Sequence, residues 1–284
     1  MRPILFSIGS INVYSHGTMM GIAFMVGILL LMKRAERRNI SPDEMLNAGI
    51  VVLISSIIGS RLLFVLDHAS EFIRRPSEIV MIQRGGLAFY GGFIGGYLGC
   101  VAYLRLKRLP MWKVGDLIAV SVILGLGIGR IGCFLNADDF GTPTDLPWGI
   151  SFPPGSFAYQ IVGDQRLHPT QLYEMAVAFV LAGGLAFMER RKRFDGQVFW
   201  SLVILYGAAR FIIEFFRGDM VVRGYIGSPF WNNARIISVV SSAIAVYMMV
   251  KLSRVKMVPQ RAASRDGGKQ AASQKGRRER KRRK

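Results

Sequence analysis

The sequence predicts an all-α polytopic membrane protein of about seven transmembrane helices, with the N-terminus outside, the C-terminus cytoplasmic and a small extracytoplasmic loop domain. Three observations predict it. Of the 284 residues, 51% are hydrophobic, gathered into runs of roughly 17–21 residues, each long enough to cross a hydrocarbon core about 30 Å thick. The connectors between runs alternate between rich and poor in Lys and Arg, and basic loops stay cytoplasmic. The few charges inside the runs fall at one depth.

Seven runs are read, at 16–32, 46–66, 86–104, 116–135, 172–188, 198–216 and 232–250. The first is followed by Lys33, Arg34, Arg37 and Arg38. That basic flank lies on the far side and no small-x-small site follows, so the run does not read as a cleaved signal peptide. The second carries Arg61. The third opens with GGLAFYGGFIGG, whose Gly92 and Gly96 give a smooth helix face, and ends before Arg105, Lys107, Arg108 and Lys113. Such a face suits close helix packing and leaves room for a bulky lipid. The fourth holds GIGRIGCFLN. The fifth follows HPTQLYE and ends before Arg190, Arg191, Lys192 and Arg193; the sixth carries Arg210 and Glu214, and the seventh Arg235. Residues 1–250 therefore form the membrane domain, with 137–171 as the extracytoplasmic loop region. Residues 251–284 form a basic tail expected to be disordered. A cytoplasmic basic tail beside an anionic leaflet needs no nucleic-acid partner, and none is expected.

Only Cys100 and Cys133 are present, expected toward opposite halves of the membrane, so no disulfide is anticipated. The three histidines, His16, His68 and His168, have no partner at ligand spacing, so no metal and no cofactor are expected. His168 reads as a loop residue that hydrogen-bonds locally.

Placed by depth, Arg61, Arg130, Arg210, Glu214 and Arg235 all lie toward the outer ends of their runs, as do His16, Tyr14 and Tyr90. Nothing comparable decorates the inner half. Snorkelling explains Arg235 and Arg61; Arg210 with Glu214 at i+4 also suits a structural ion pair. A charge held inside a span usually faces a partner or cavity, and several guanidiniums at one depth suit a phosphate. Gly127, Gly129 and Gly132 spell G-x-G-x-x-G, but no strand precedes them, so they read as helix-packing glycines rather than a dinucleotide site.

The stretch GIGRIGCFLNADDFG resembles the signature of the bacterial prolipoprotein diacylglyceryl transferases, roughly G-R-x-G-N-F-x-N-x-E-x-x-G. HGTMMG, GSRLLFVL, GGLAFYGG, HPTQLYE and YGAARFIIEFFRGD agree in order, over about residues 10–250. The resemblance implies an enzyme of the inner membrane. It would transfer the diacylglyceryl group of phosphatidylglycerol to the lipobox cysteine thiol of a lipoprotein precursor, forming a thioether and releasing glycerol phosphate. It also implies that Arg130 and Arg210 are the two essential arginines and Gly141 the closing glycine. Asn136, Tyr206, Glu214 and Arg217 fall on family positions as well. Four positions depart from the pattern: Cys133 stands for asparagine, Asp138 for glutamate, Tyr90 for a histidine and His16 for a tyrosine.

The chemistry needs a neutralised phosphate and a thiolate. Arg130 and Arg210 are expected to supply the first, with Arg61 as helper and Glu214 orienting Arg210. Asn136, Gly141, Tyr206 and Arg217 are expected to line the substrate site. His16 is the expected general base, because histidine changes charge near neutral pH, with Tyr90 as alternate. The rival reading is a transporter or flippase for an anionic lipid, using the same arginines without chemistry; such proteins often carry inverted repeats, and none is evident.

Overall fold

A computed structural model describes residues 1, 3–9, 11–81, 85–218 and 230–254. Most of the expected tail, together with Arg2, Arg84 and Arg223, lies outside the described residues. The chain opens with an antiparallel hairpin, β1 (Ile4–Ile8) and β2 (Ile11–Tyr14), and then becomes mostly helical. The helices are α1 (Ser15–Glu36), α2 (Pro42–Asp67), the short α3 (Ala69–Arg74), α4 (Phe89–Leu106), α5 (Met111–Asn136), the short α6 (Phe157–Val162), α7 (Thr170–Arg191), α8 (Gln197–Ile213) and α9 (Asn233–Ser253). A 3-10 turn at Pro76–Val80 follows α3. Strands β3 (Ile150–Ser151) and β4 (Arg166–Leu167) pair antiparallel.

Five helices, α1, α2, α5, α7 and α9, are long and apolar enough to cross a membrane. The expected runs at 86–104 and 198–216 coincide with α4, which is rich in glycine, and α8, which has 17 residues. Large apolar side chains such as Ile58, Leu62, Leu66, Phe93, Leu98, Val180 and Tyr247 point outward. A surface this apolar is at home in lipid rather than water.

Local chemistry sets the helix starts. Ser41 caps α2, accepting from the Glu44 amide; Pro42 sits in its first turn, with Asp43 and Glu44 near the positive end of its dipole. Asn232 caps α9 by accepting from the Arg235 amide at 2.8 Å.

Helix α5 is the spine, packing on α1, α7 and α8. Its glycines work as packing surface: Gly127 faces Ala178 and Phe179 of α7, and Gly132 faces Met19 and the backbone of His16 on α1. Between α2 and α4 the contact is closer still. Gly91 and Gly95 lie directly on Gly59 and Ser55, and Gly92 and Gly96 face Ser60 and Ser56. The smooth face of α4 is thus filled by α2, backbone to backbone, as small residues allow.

The expectation that only one end of the bundle carries charge is corrected by the structure. Near the start of α5, buried Arg34 pairs with buried Glu189 and donates to the Leu117 carbonyl at 2.8 Å. Buried Asp116 accepts from the Gly196 and Phe199 amides, both at 2.9 Å, and from Lys192 at 2.8 Å. It thereby satisfies amides at the start of α8 that no helical carbonyl reaches. These residues look like span ends in the sequence. Only packing shows that they are buried.

A methyl group on Gly91 would meet the Gly59 backbone and come within 2.6 Å of Leu63 Cβ, whereas one on Gly183 would meet nothing within 4 Å. Gly91→Ala is therefore expected to destabilise the chain by about 1–3 kcal/mol. Gly183→Ala is expected to be neutral or to stabilise by up to about 1 kcal/mol. Thermal unfolding in detergent micelles distinguishes the two, and equal effects would contradict the packing described.

Candidate functional site

The site is assembled at the far end of α5, about 20 Å from Leu117 at 1.5 Å per residue. The last turns of α5 carry Arg130 and Cys133. The helix then stops at Ala137, whose φ of 59° is left-handed, and Asp139 repeats that conformation at 56°. Asp tolerates this region better than most residues. The double reversal folds Asp138 and Asp139 back over the helix end. The first turn of α7 holds the reversal in place: Thr170 Oγ1 donates to the Asp139 carbonyl at 2.7 Å and Gln171 Nε2 to the Asp138 carbonyl at 2.5 Å.

Gly141 follows. Its amide donates to the His168 carbonyl at 3.0 Å, and it bridges antiparallel to Arg217. A Cβ at this position would run into His168 and lie 2.7 Å from the Phe216 carbonyl. Only glycine lets the two strands approach, and that approach delivers Arg217 to the cluster. Residues 137–167 carry a small apolar core of their own, with Phe140, Phe152, Ala158 and Leu167 buried together.

At the centre is Glu174, 1% exposed and one helical turn into α7. Its Oε2 lies 2.6 Å from Arg130 Nε, and its Oε1 pairs with Arg210 Nη1. One carboxylate thus holds the two arginines on either side of it. Arg130 Nη1 also pairs with Asp139 at 2.5 Å, and Arg210 Nη2 with Glu214 at 2.8 Å. Arg217 reaches Asp139 at 2.5 Å and Glu174 at 3.4 Å. Asn232, the cap of α9, donates to Glu214 Oε1 at 3.0 Å, and Arg235 donates to the Glu214 carbonyl at 3.2 Å while lying 4.0 Å from the Phe215 ring centroid. Tyr206 interacts with Arg130, Arg210 and Glu174. Four helices and the turn after α5 therefore meet in one ionic network, its guanidiniums oriented by carboxylates.

The structure brings together Arg130, Arg210, Glu214, Arg217 and Tyr206. His16 joins at the edge, with its Nδ1 3.9 Å from Cys133 Sγ, which in turn lies 3.6 Å from Arg130 Nη1. Asn136 donates to Asp138 Oδ2 at 2.8 Å. Two expected site residues are placed elsewhere. Arg61 donates to the carbonyls of Glu78, Ile79, Gly85 and Gly86 at 2.6–2.9 Å, and its guanidinium lies 5.2–5.6 Å from the Phe72 and Phe64 ring centroids. Gly85 and Gly86, with φ of 84° and 79°, are in a conformation only glycine adopts freely, and it aims their carbonyls at the cation. Tyr90 is half exposed beside Phe89, with no hydrogen bond to the cluster among the described residues. His168 Nδ1 pairs locally with Tyr173 Oη at 3.1 Å.

Sequence reasoning passed over Glu174 and Asp139. Both signals were available: Glu174 closes HPTQLYE and Asp139 lies in the stretch around Arg130. Their place in the network could not be read, because Glu174 is far along the chain from both Arg130 and Arg210, and Asp139 is far from Arg217.

Removing one member of a buried ionic network leaves the others uncompensated, at a cost of about 3–5 kcal/mol. Glu174→Ala is expected to lower thermal stability in micelles by an amount of that order, and a change below about 1 kcal/mol would mean that the arginines are held by something else.

A family model described as prolipoprotein diacylglyceryl transferase matches residues 3–251. The chain is 37% identical over 219 residues to a protein of Clostridium tetani, covering 77% of this chain and 86% of that one. It is 34% identical over 228 residues to a protein of a Nostoc species, covering 78% and 81%. It is 32% identical over 265 residues to a protein of Geobacter sulfurreducens, covering 90% and 97%. All three are named phosphatidylglycerol–prolipoprotein diacylglyceryl transferase.

Proposed function

Because the chain belongs to the prolipoprotein diacylglyceryl transferase family, we propose that it transfers the diacylglyceryl group of phosphatidylglycerol to the lipobox cysteine thiol of bacterial lipoprotein precursors. A thioether forms and glycerol phosphate leaves, the first step of lipoprotein maturation. The observation that carries this reading is the Arg130–Glu174–Arg210 bridge. It presents two fixed guanidiniums at the end of α5, where a lipid phosphate can meet them.

The reaction displaces an oxygen by a sulfur. The thiolate attacks the glycerol carbon that bears the phosphoester oxygen, the carbon–oxygen bond breaks, and its electron pair leaves on the phosphate. Negative charge therefore grows on phosphate oxygen, and donors held in place by the protein stabilise it without reorganising. Arg130 and Arg210 take this role. Glu174 and Glu214 hold their planes, and Asp139 and Arg217 hold the turn that closes over Arg130. The thiol proton needs an acceptor. His16 stands beside Cys133 at the edge of the cluster and is the base favoured by position; Tyr90 stands apart from it. Arg61 contributes by holding the segment after α3 rather than by facing the phosphate.

The basic connectors orient the chain in this reading: seven spans in the bacterial inner membrane, N-terminus outside and C-terminus cytoplasmic, with 137–171 extracytoplasmic. Residues 1–250 are then the catalytic domain and 251–284 a tail along the anionic leaflet. The transporter reading finds no support in the names of the relatives.

Membranes carrying the chain, phosphatidylglycerol and a lipobox peptide are expected to yield a peptide heavier by one diacylglyceryl group, read by mass spectrometry. Arg130→Ala is expected to lower the rate about 100-fold or more. No mass gain, or an undiminished rate in that variant, would sink the assignment. His16→Phe is expected to slow transfer; an unchanged rate would exclude His16 as the base.

A further inference from the structure

The departure at Cys133 gives this chain something else. Cys133 Sγ, His16 Nδ1 and a carboxylate oxygen of Asp138 all lie within 4.8 Å of one another. They come from the end of α5, the first turn of α1 and the turn that follows α5. Their chemistry is thiolate, imidazole and carboxylate, the donor set that suits Zn2+. We propose that His16, Cys133 and Asp138 form a three-ligand Zn2+ site that ties the first turn of α1 to the outer end of α5.

For sulfur and nitrogen the spacing is close to what the metal requires. With Zn–S near 2.3 Å and Zn–N near 2.0–2.1 Å, a tetrahedral site sets them about 3.5 Å apart, against 3.9 Å here. The Asp138 oxygen lies within 4.8 Å of both, and metal binding would draw it in. Asp138 supplies an independent sign. Its Oδ2 accepts from Asn136, but its Oδ1 is buried and has no hydrogen-bond partner among the described residues. A buried carboxylate oxygen without a partner is costly, and a cation beside it removes that cost. Gly132 makes the arrangement possible. A Cβ there would lie 3.1 Å from His16 Cα, so a larger residue would push His16 away from Cys133.

Arg130 lies beside Cys133 and opposes a metal there, but its charge is matched by Asp139 and Glu174. Binding releases the Cys133 proton to water, as thiolate ligation requires. Three protein ligands leave a fourth position for water. The loaded site also occupies His16, the base of the reaction above, although the site itself does not rest on that reading.

The test uses the full-length Cys100→Ser chain in detergent micelles, stripped with a chelator and titrated with metal alone. Cys133 is then the only thiol. Zn2+ is expected to bind one per chain and to raise Tm by several degrees, since a ligand that binds only the folded state stabilises it. Co2+ is expected to give a thiolate-to-cobalt charge-transfer band in the near ultraviolet. Asp138→Asn is expected to weaken Zn2+ binding at least about tenfold, and Cys133→Ser to abolish the band. The band in the parent chain reads the site directly even where a variant fails to fold. Its absence, or a Zn2+ effect on Tm that persists undiminished in Cys133→Ser, would overturn the proposal.

Discussion

A single buried carboxylate, Glu174, holds the polar end of this membrane protein together. Two guanidiniums brought side by side in a low-dielectric interior repel each other, and each loses its hydration. Glu174 answers both costs, one oxygen for Arg130 and the other for Arg210. Everything around it keeps it in register. Thr170 and Gln171 bind the turn after α5, Asp139 and Arg217 close over Arg130, and Asn232 and Arg235 hold Glu214 against Arg210. The cations are thus already oriented, which is what charge stabilisation in a low-dielectric site demands.

The spine helix α5 carries two polar layers with different designs. At its beginning, Asp116 is saturated by two backbone amides and Lys192, and Arg34 by Glu189 and a carbonyl. That layer is closed on itself and fastens α5 to α1, α7 and α8. At its end, the arginines are braced by carboxylates on helices that also border lipid. Glycine serves both layers by the same means. Gly127 and Gly132 let α7 and α1 lie against α5, and Gly141 lets the chain after α5 lie against Arg217.

Much of this was legible in the sequence. Helix α2 follows from a 46–66 apolar run, Arg130, Arg210 and Glu214 converge as their positions along the spans suggest, and Arg217, named by the resemblance alone, joins them. Arg61 shows where depth reasoning runs out. It lies at the right level in its run, but its guanidinium turns to the carbonyls of Glu78 and Ile79 and to those that Gly85 and Gly86 aim at it. Depth is one coordinate, and direction around the helix is another. Cys133 shows the same limit in reverse. The linear spacing of His16, Cys133 and Asp138 suggests no ligand set, although the packing of Gly132 on α1 brings all three together.

The sequence by itself determined the class of protein, the positions of its apolar helices and the residue types at the polar end of the bundle. These follow from hydrophobicity, helix length and charge, which are properties of short segments. Only the tertiary structure decided which cation meets which anion. Glu174, Asp139 and Asp116 find partners dozens of residues away, and that pairing depends on which faces of α5, α7 and α8 pack together. Helix faces are chosen by close packing over many small contacts, a sum that no local stretch of sequence contains.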